Sequence, residues 1–392
     1  MKKFLLFGAA AMLACAANAQ TLEKLWSHDM AAAGGATRNA VVVGDKIAVT
    51  DISFSGGSDV VKFYDANGLT DKVYDIAAFI ASEKIGDHGT DSVGNPTFKA
   101  YTLGRGIALD GAGNIVVNLA FPNAPSSTNF VAIAPDGTMK HIACEIPSPG
   151  VAGRADFFDV TGDIFTNAYI GLVPNAAYAV IYNIYEGAQD NDYSYIVNAD
   201  EGTSLTNEAK LFWAKKTFAE DAENAPEFYV YHRSVGGIRY SDGIATNPMV
   251  NMGENFAQGK ATTTGAAAFE VGGVSYIVMP IQDDQAARNS WFKVVNVATG
   301  ETVVQDEGVG GGTATQDYSA YVNEDGTVNI AQLNQGKALT MYKLTLPASA
   351  IEEVAADNAA VEYYNLQGVK VANPENGVFV KKQGAKATKV VL

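Results

Sequence analysis

The chain has 392 residues, of which 47% are hydrophobic and 18% are charged, and its formal net charge at pH 7 is −16. The high apolar fraction is typical of a folded chain with a large core and excludes a disordered one. The acidic balance argues against nucleic acid and against anionic membranes as partners, because their phosphate groups would repel the chain.

The first nineteen residues have the pattern of a secretory signal peptide. Lys2 and Lys3 precede an apolar run that ends in Ala-Asn-Ala at 17–19, a small-x-small cleavage site. The run is too short to span a bilayer, and no later segment approaches spanning length. We therefore expect a secreted, cell-surface or periplasmic protein that is cleaved after Ala19. A lipoprotein signal with Cys15 as the acylated residue is the alternative.

From residue 39 onward the chain repeats one pattern, in which four short apolar runs are separated by turn signals. In 105–144 the runs RGIAL, IVVNLAF, FVAIA and TMKHIAC are separated by DGAGN, a Pro-Asn-Ser loop and PDG. Such a series is typical of a four-stranded antiparallel meander. Similar meanders at 39–76, 154–184 and 265–305 favour an all-β fold, a β-propeller.

Two stretches depart from this rhythm. Residues 77–104 interrupt it, and we expect a short helix over 77–84 followed by an irregular loop. Residues 193–259 hold enough strand-like runs for one or two blades.

The ends of the body are expected to pair. The last repeat, 318–346, has only three strands, and residues 24–29 supply the fourth, which leaves no open edge in the ring. The body then covers 20–347. Seven blades are preferred and six are possible, because repeats of known propellers run to about 40–50 residues.

The C-terminal residues form a separate pattern. An Ala- and acid-rich linker at 348–360 precedes three or four short strands in 361–392, which predict a small β-sandwich module. Its segments YNLQG, NGVFV and KVVL, with IEEVAAD before them, resemble the C-terminal sorting-type domain of Bacteroidetes exported proteins. This resemblance implies an origin in those bacteria and a contact with their type IX export machinery. The body resembles an uncharacterised family of secreted propellers from the same bacteria.

Known catalytic motifs are absent from the sequence. It has no Gly-x-Ser-x-Gly, His-Glu-x-x-His, phosphate-binding loop or Cys-x-x-Cys, and its four histidines are scattered. Asp-Gly and Asn-Gly pairs are explained by turn chemistry and lack the spacing of a calcium loop. We therefore expect no metal and no cofactor. Cys144, left alone after signal cleavage, is expected to be a buried and inert thiol.

Three hairpins share one arrangement of polar residues. Aligned on their turns, each begins with an arginine before the inner strand and closes its second strand with Asp or Asn. These pairs are Arg38 and Asp51, Arg105 and Asn118, and Arg154 and Asn167. In a propeller both positions lie at one rim of the channel, and the 77–104 insertion, with His88, joins the same rim. We predict that this rim binds a ligand, or that each arginine only pairs with an acid of a neighbouring blade.

Three functions remain open from the sequence. The first is an exported, non-catalytic propeller that binds a glycan or a protein at its channel rim, and an anionic glycan is one candidate. The second is a hydrolase or lyase that acts on a polysaccharide or lactone with rim Asp, His and Arg residues. The third is a structural or scaffold module. An enzyme should gather a carboxylate or histidine of shifted pKa in the channel mouth.

Overall fold

The computed structural model describes residues 20–120, 127–145, 157–173, 178–197, 209–218, 224–231, 237–256, 263–282, 290–306, 315–347, 361–364, 370–371, 378–383 and 386–391. The predicted signal peptide, with Cys15, lies outside these residues. In the described part of the chain no helix is long and apolar enough to cross a membrane. The chain divides into a large unit that holds Thr21–Glu270 and Ser275–Leu344, and a small one that includes Thr345–Leu392.

The large unit is a β-propeller. Over the described residues, five four-stranded sheets and one five-stranded sheet follow one another around a channel. Blade 1 contains β2 (Ala40–Val43), β3 (Lys46–Asp51), β4 (Val60–Asp65) and β5 (Gly68–Asp75). Blade 2 contains β8 (Thr102–Leu109), β9 (Ile115–Ala120), β10 (Ser127–Ile133) and β11 (Met139–Glu145). Blade 3 contains β12 (Phe158–Gly162), β13 (Asn167–Leu172), β14 (Tyr178–Tyr185) and β15 (Ala188–Val197).

The other three blades complete the ring. Blade 4 contains β16 (Lys210–Phe212), β17 (Phe228–Tyr231), β18 (Ile238–Ser241) and β19 (Val250–Asn251). Blade 5 contains β21 (Ala267–Val271), β22 (Val274–Gln282), β23 (Ser290–Asn296) and β24 (Thr302–Gln305). Blade 6 contains β25 (Thr315–Val322), β26 (Val328–Asn334), β27 (Ala338–Thr345) and the N-terminal β1 (Thr21–Asp29). Short 3-10 turns occur at Ala31–Ala33, Ser53–Ser55 and Glu254–Phe256.

The blades are joined by apolar layers between neighbouring sheets. One buried cluster combines Val41 and Phe63 of blade 1 with Val117 of blade 2, and equivalent clusters join blades 2 and 3, 3 and 4, 4 and 5, and 6 and 1. Between blades 5 and 6, Phe292 lies 5.1 Å from the ring of Tyr342, edge to face. The first strand of each blade is innermost, so the six inner strands form the channel wall.

Six blades correct the preferred count of seven. The sequence predicted one or two blades in the region 193–259. The structure shows that this region contains the end of β15 and a single blade, blade 4. The 77–104 insertion and the long connections raise the average length per blade without adding strands, so chain length alone indicated too many blades.

The ring closes through its N-terminal strand, as predicted. β1 pairs with β27 as the outermost strand of blade 6. The Ser27 hydroxyl lies 2.9 Å from that of Thr340, and Met30 N–H donates to Lys337 O at 2.9 Å. Between these two contacts the residue number rises along β1, from 27 to 30, and falls along β27, from 340 to 337, so the two strands are antiparallel. β1 also contacts blade 1, because His28 Nε2 lies 2.6 Å from Asp65 O.

The 77–104 insertion is more regular than expected. The predicted helix is present as α1 (Ile76–Glu83), whose N-cap Asp75 accepts a hydrogen bond from Ala78 N–H at 2.8 Å. The predicted irregular loop is wrong: β6 (Gly86–Thr90) and β7 (Pro96–Ala100) form an antiparallel hairpin. Its turn is held by Asp91, which accepts from the Val93 and Asn95 N–H groups at 2.9 and 2.8 Å.

The C-terminal unit contains the predicted strands. β28 (Val361–Tyr364), β29 (Lys370–Val371), β30 (Val378–Gln383) and β31 (Lys386–Val391) form one four-stranded sheet in the order β29-β28-β30-β31. A sandwich, with a second sheet, stays a prediction. The Asn-Leu-Gln-Gly part of the sorting-like motif and the linker 348–360 lie outside the described residues.

Candidate functional site

The central channel contains a cavity of about 460 Å³ that is lined by residues from all six inner strands. Much of its wall consists of small side chains, which leaves the axis of the ring open. These residues are Ala108, Ala112, Ala214, Ala266, Ala267, Ala268 and Ala320. The inner strands run in the same direction, as β2 of blade 1 and β25 of blade 6 illustrate. Ala40 N–H donates to Asp317, and Val42 N–H, two residues later in β2, donates to Ser319, two residues later in β25. The channel therefore has a strand-start rim, where the inner strands begin, and a strand-end rim, where they finish.

A buried ion pair narrows the channel near the strand-start rim. Lys210 Nζ of blade 4 donates to Asp317 Oδ1 of blade 6 at 2.6 Å and to Tyr318 O at 2.9 Å. The side chains are 9% and 0% exposed. The pair passes against Gly265, two residues before the inner strand of blade 5, where any Cβ would collide with Asp317. Burial raises the pKa of the Asp317 carboxyl, and Lys210 opposes that shift.

The inner strands of blades 5 and 6 also approach each other at this end. β20 (Thr263–Thr264), directly before β21, pairs in parallel with the start of β25. Gly265 N–H extends the pairing by donating to Gln316 O at 2.8 Å. The residues that line the cavity begin at the level of Lys210 and extend to the strand-end rim. Because the Lys210–Asp317 pair narrows the other end, the cavity opens at the strand-end rim.

Charged side chains line the strand-end half of the cavity. Lys216 of blade 4 pairs with Asp159 of blade 3 and also donates to Val160 O at 3.1 Å. Asp159 additionally accepts from Trp213 N–H at 3.0 Å, so it is fully engaged. Lys215 Nζ lies 4.0 Å from Glu270 Oε1 of blade 5, with side chains 56% and 30% exposed. The Lys215–Glu270 pair is therefore looser and more accessible than the other two.

Asp110 on the same wall has a structural role. It is buried, and burial raises the pKa of its carboxyl. A carboxylate of raised pKa in a channel is one feature expected of an enzyme. However, Asp110 accepts hydrogen bonds from the N–H groups of Ala112, Asn114 and Ile164, at 2.9, 2.8 and 2.9 Å. These bonds close the β8–β9 turn and tie it to blade 3.

The predicted arginine rim corresponds to the strand-start rim. Arg38 lies two residues before β2, is half-buried, and donates from Nε to Gly35 O at 3.3 Å. Arg105 lies within β8, where its guanidinium sits 5.5 Å from the ring centre of Phe54. Phe54 is 51% exposed, and the sequence reasoning did not single it out. Arg154 lies outside the described residues.

Asp51 and Asn118 are both buried and both stabilise local backbone. Asp51 Oδ2 lies 2.8 Å from Lys62 Nζ and accepts from Ser58 N–H at 3.2 Å. Asn118 Oδ1 accepts from Gly106 N–H at 2.6 Å, beside the irregular part of β8. These contacts lie within one blade and involve Lys62 and backbone N–H groups, so they differ from the pairing of an arginine with an acid of a neighbouring blade, and a role in ligand binding stays a prediction.

Asn167 is not equivalent to Asp51 and Asn118. The alignment placed it at the end of a second strand, but the structure places it at the start of β13, at the opposite rim. The true turn is later than predicted, because Asp163 N–H donates to Asn167 O at 2.8 Å, in the same way that Asp110 N–H donates to Asn114 O. His88 is exposed on β6 and lies 5.0 Å from the ring of Phe98.

The described residues contain no group of three His, Cys, Asp or Glu side chains that could hold a metal ion. Cys144 is a buried free thiol, as predicted, and its pKa is raised by burial. The sequence reasoning missed the lysines of the channel wall. A signal was available, since the apolar run 211–214 is bracketed by Lys210 at one end and Lys215-Lys216 at the other in an acidic chain.

Comparisons with known proteins give distant likenesses. No family model matches the chain, and no curated protein does. AofleA from Arthrobotrys oligospora is 9% identical and matches 95% of this chain and 92% of its own, with a TM-score of 0.47. A protein of unknown function from Bacteroides caccae is 11% identical over 77% and 91%, with a TM-score of 0.36. The hemagglutinin-neuraminidase ectodomain of parainfluenza virus 5 is 10% identical over 88% and 94%, with a TM-score of 0.40. Likenesses this distant carry no argument about function, and the propeller assignment rests on the chain's own sheet order.

Proposed function

We propose that this protein is an exported, non-catalytic β-propeller that binds a ligand, a glycan or a protein segment, in its central channel. The observation that carries the proposal is the cavity of about 460 Å³ at the strand-end rim. Its size lies within the usual range for ligand sites, about 300–1,000 Å³. Its wall combines alanine surface with charged groups from several blades, which suits a ligand of mixed polarity.

The engagement of Asp110, Asp159 and Asp317 supports a binder over an enzyme, whereas Glu270 stays accessible at the channel mouth. Asp110 and Asp159 are used by backbone N–H groups and by Lys216, and Asp317 is buried against Lys210. A general acid or base must reach the reacting group of a substrate. These three carboxylates are held in structural contacts instead.

The export part of the proposal rests on sequence patterns. The basic-apolar-small pattern of residues 1–19 supports cleavage after Ala19 and release from the cytoplasm. The sorting-like tail supports a contact of 361–392 with an export machinery. N-terminal sequencing of the mature protein tests the first point, and a start at any residue other than Gln20 contradicts it.

Binding is tested with the mature chain, residues 20–392, against neutral oligosaccharides, uronate oligosaccharides and short peptides, by ligand-observed NMR. Ala320, half-buried on the channel wall, is replaced by Trp to fill the cavity. Ala77→Trp, on an exposed position of α1, is the matched control. We expect at least one class to bind, with A320W weakening it at least about tenfold and A77W leaving it unchanged. Absence of binding in every class, or binding that A320W leaves intact, contradicts the proposal.

A further inference from the structure

We infer that the ligand of the channel is a neutral, hydroxyl-rich saccharide, and that Lys215 and Glu270 contact it at the strand-end rim. This inference rests on the proposed function and adds the class of ligand and the residues that recognise it. Neither residue belongs to the arginine rim predicted from the sequence.

The cavity favours a ligand without net charge. Each lysine that lines it lies beside a carboxylate: Lys210 beside Asp317, Lys216 beside Asp159, and Lys215 beside Glu270. An anionic ligand would therefore meet no lysine on this wall without a carboxylate beside it, and Asp110 on the same wall is buried and held by backbone N–H groups. A neutral ligand avoids the loss of hydration that an ion would suffer in entering the cavity.

The charged pairs of the cavity wall differ in how well a ligand can reach them. The Lys216–Asp159 and Lys210–Asp317 pairs are closed by short contacts and by further bonds to Val160 O and Tyr318 O. Lys215 and Glu270 stand 4.0 Å apart, beyond hydrogen-bond distance, and their side chains are 56% and 30% exposed. Their remaining donors and acceptors are available to a third group at the mouth.

The space between an ammonium and a carboxylate suits a hydroxyl group. A hydroxyl group can accept a hydrogen bond from Lys215 and donate one to Glu270 at the same time. Two adjacent hydroxyls of a sugar ring can divide these roles between them. Hydrogen bonds to charged groups are the stronger ones, which compensates for their exposure to water.

The rest of the cavity wall carries several alanine side chains. Ala266, Ala267 and Ala268 of blade 5 lead from the buried Lys210–Asp317 pair to Glu270, and Ala320 faces the cavity from blade 6. Methyl groups form a smooth surface against which the C–H faces of a sugar ring can pack. The cavity thus offers polar contacts at its mouth and apolar contacts below it.

The test uses the mature chain with maltotriose, cellotriose, xylotriose and chitotriose, and with trigalacturonate as the anionic probe, in isothermal titration calorimetry. Lys215→Ala and Glu270→Gln are compared with Lys343→Ala and Asp325→Asn, a surface pair at 3.7 Å in blade 6. We expect at least one neutral trisaccharide to bind, to bind more tightly than trigalacturonate, and to lose about tenfold or more in affinity with K215A and with E270Q. K343A and D325N should change the affinity less than about twofold.

The outcomes separate this inference from the proposed function. If a neutral trisaccharide binds but K215A and E270Q leave its affinity unchanged, the inference is overturned and the proposed function stands. The same holds if trigalacturonate or a peptide binds in an A320W-sensitive way and the neutral sugars do not. If neither the sugars nor the peptides bind, both fail.

Discussion

At the scale of single residues, the Lys210–Asp317 pair shows how the channel is fixed. Asp317 is fully buried and receives a hydrogen bond from Ala40 N–H at 3.1 Å as well as the ammonium of Lys210. Breaking one side of such a pair leaves an uncompensated buried charge, whereas replacing both partners by apolar groups is tolerated better. Gly265 is part of the same arrangement, since it leaves room for the pair.

Lys210→Met should lower the free energy of unfolding by about 3–5 kcal/mol, because Asp317 is left without its cation. Urea unfolding of the mature chain measures this. The matched control is Lys46→Met, which removes an exposed pair with Asp45 and should cost less than about 1 kcal/mol. The double variant K210M/D317L should recover much of the loss. Equal stability of K210M and K46M would contradict the structural role of the pair.

His141 should make stability depend on pH. Burial lowers the pKa of this ring from its ordinary 6.5, while its Nε2 lies 2.9 Å from Asn129 Oδ1. The unfolded chain therefore takes up this proton first, and stability is lost as the pH falls through about 6.5. His141→Gln should flatten the curve of unfolding free energy against pH between about pH 7 and pH 5. An unchanged slope would show that His141 is not responsible.

At the scale of elements, β1 is the strand whose role the sequence predicted best. Trp26 packs on the cluster that joins blades 6 and 1, and its ring lies 4.9 Å from that of His28. Trp26→Ala should cost about 3 kcal/mol of unfolding free energy or more, while Leu25→Ser, at a side chain 42% exposed, should cost less than about 1 kcal/mol.

Deleting residues 20–30 is the stronger test of the closure. It exposes the edge of β27 and removes the contacts of β1 with blade 1, so the whole propeller should unfold at a markedly lower temperature. Differential scanning calorimetry measures the effect. A single transition at the temperature of the intact mature chain would contradict closure by this strand.

The β6–β7 hairpin should be separable from the blades. Tyr101 N–H donates to Ile85 O at 3.1 Å, so the two ends of the hairpin lie side by side, and most of its side chains are exposed. Replacing 86–100 by a short Gly-Ser linker should change the free energy of unfolding by less than about 1 kcal/mol. Channel binding should persist in this variant. Its loss would shift the site towards His88 and the strand-start rim.

At the scale of the whole molecule, the repeated hairpin pattern predicted the propeller, while the number of blades needed the structure. Alternating apolar runs and turn residues are local signals, so each strand of blades 1, 2 and 5 could be recognised separately. Asn167 was misplaced because two readings of the hairpin give the same distance in sequence from Arg154. A short turn followed by a longer second strand puts Asn167 at the end of that strand, whereas the actual five-residue turn from Asp163 puts it at the start. The lysine pairs of the channel join blades far apart in the sequence, and no local pattern records which partner each one meets.

The C-terminal unit should behave as a separate module. We expect limited proteolysis to cut within 348–360 and to leave a propeller of nearly unchanged melting temperature, since the described strands of 361–392 pair only among themselves. Mass spectrometry locates the cut, and calorimetry compares the product with the uncut chain. A loss of propeller stability on cutting would show that the two units fold together.

The most direct test of the account is a crystal structure of the mature chain soaked with the trisaccharide that binds most tightly among maltotriose, cellotriose, xylotriose and chitotriose. The account predicts density for a sugar ring in the channel, with hydroxyls within hydrogen-bond distance of Lys215 and Glu270. Density at the strand-start rim, beside Arg105 and Phe54, or on any face away from the channel, would contradict it.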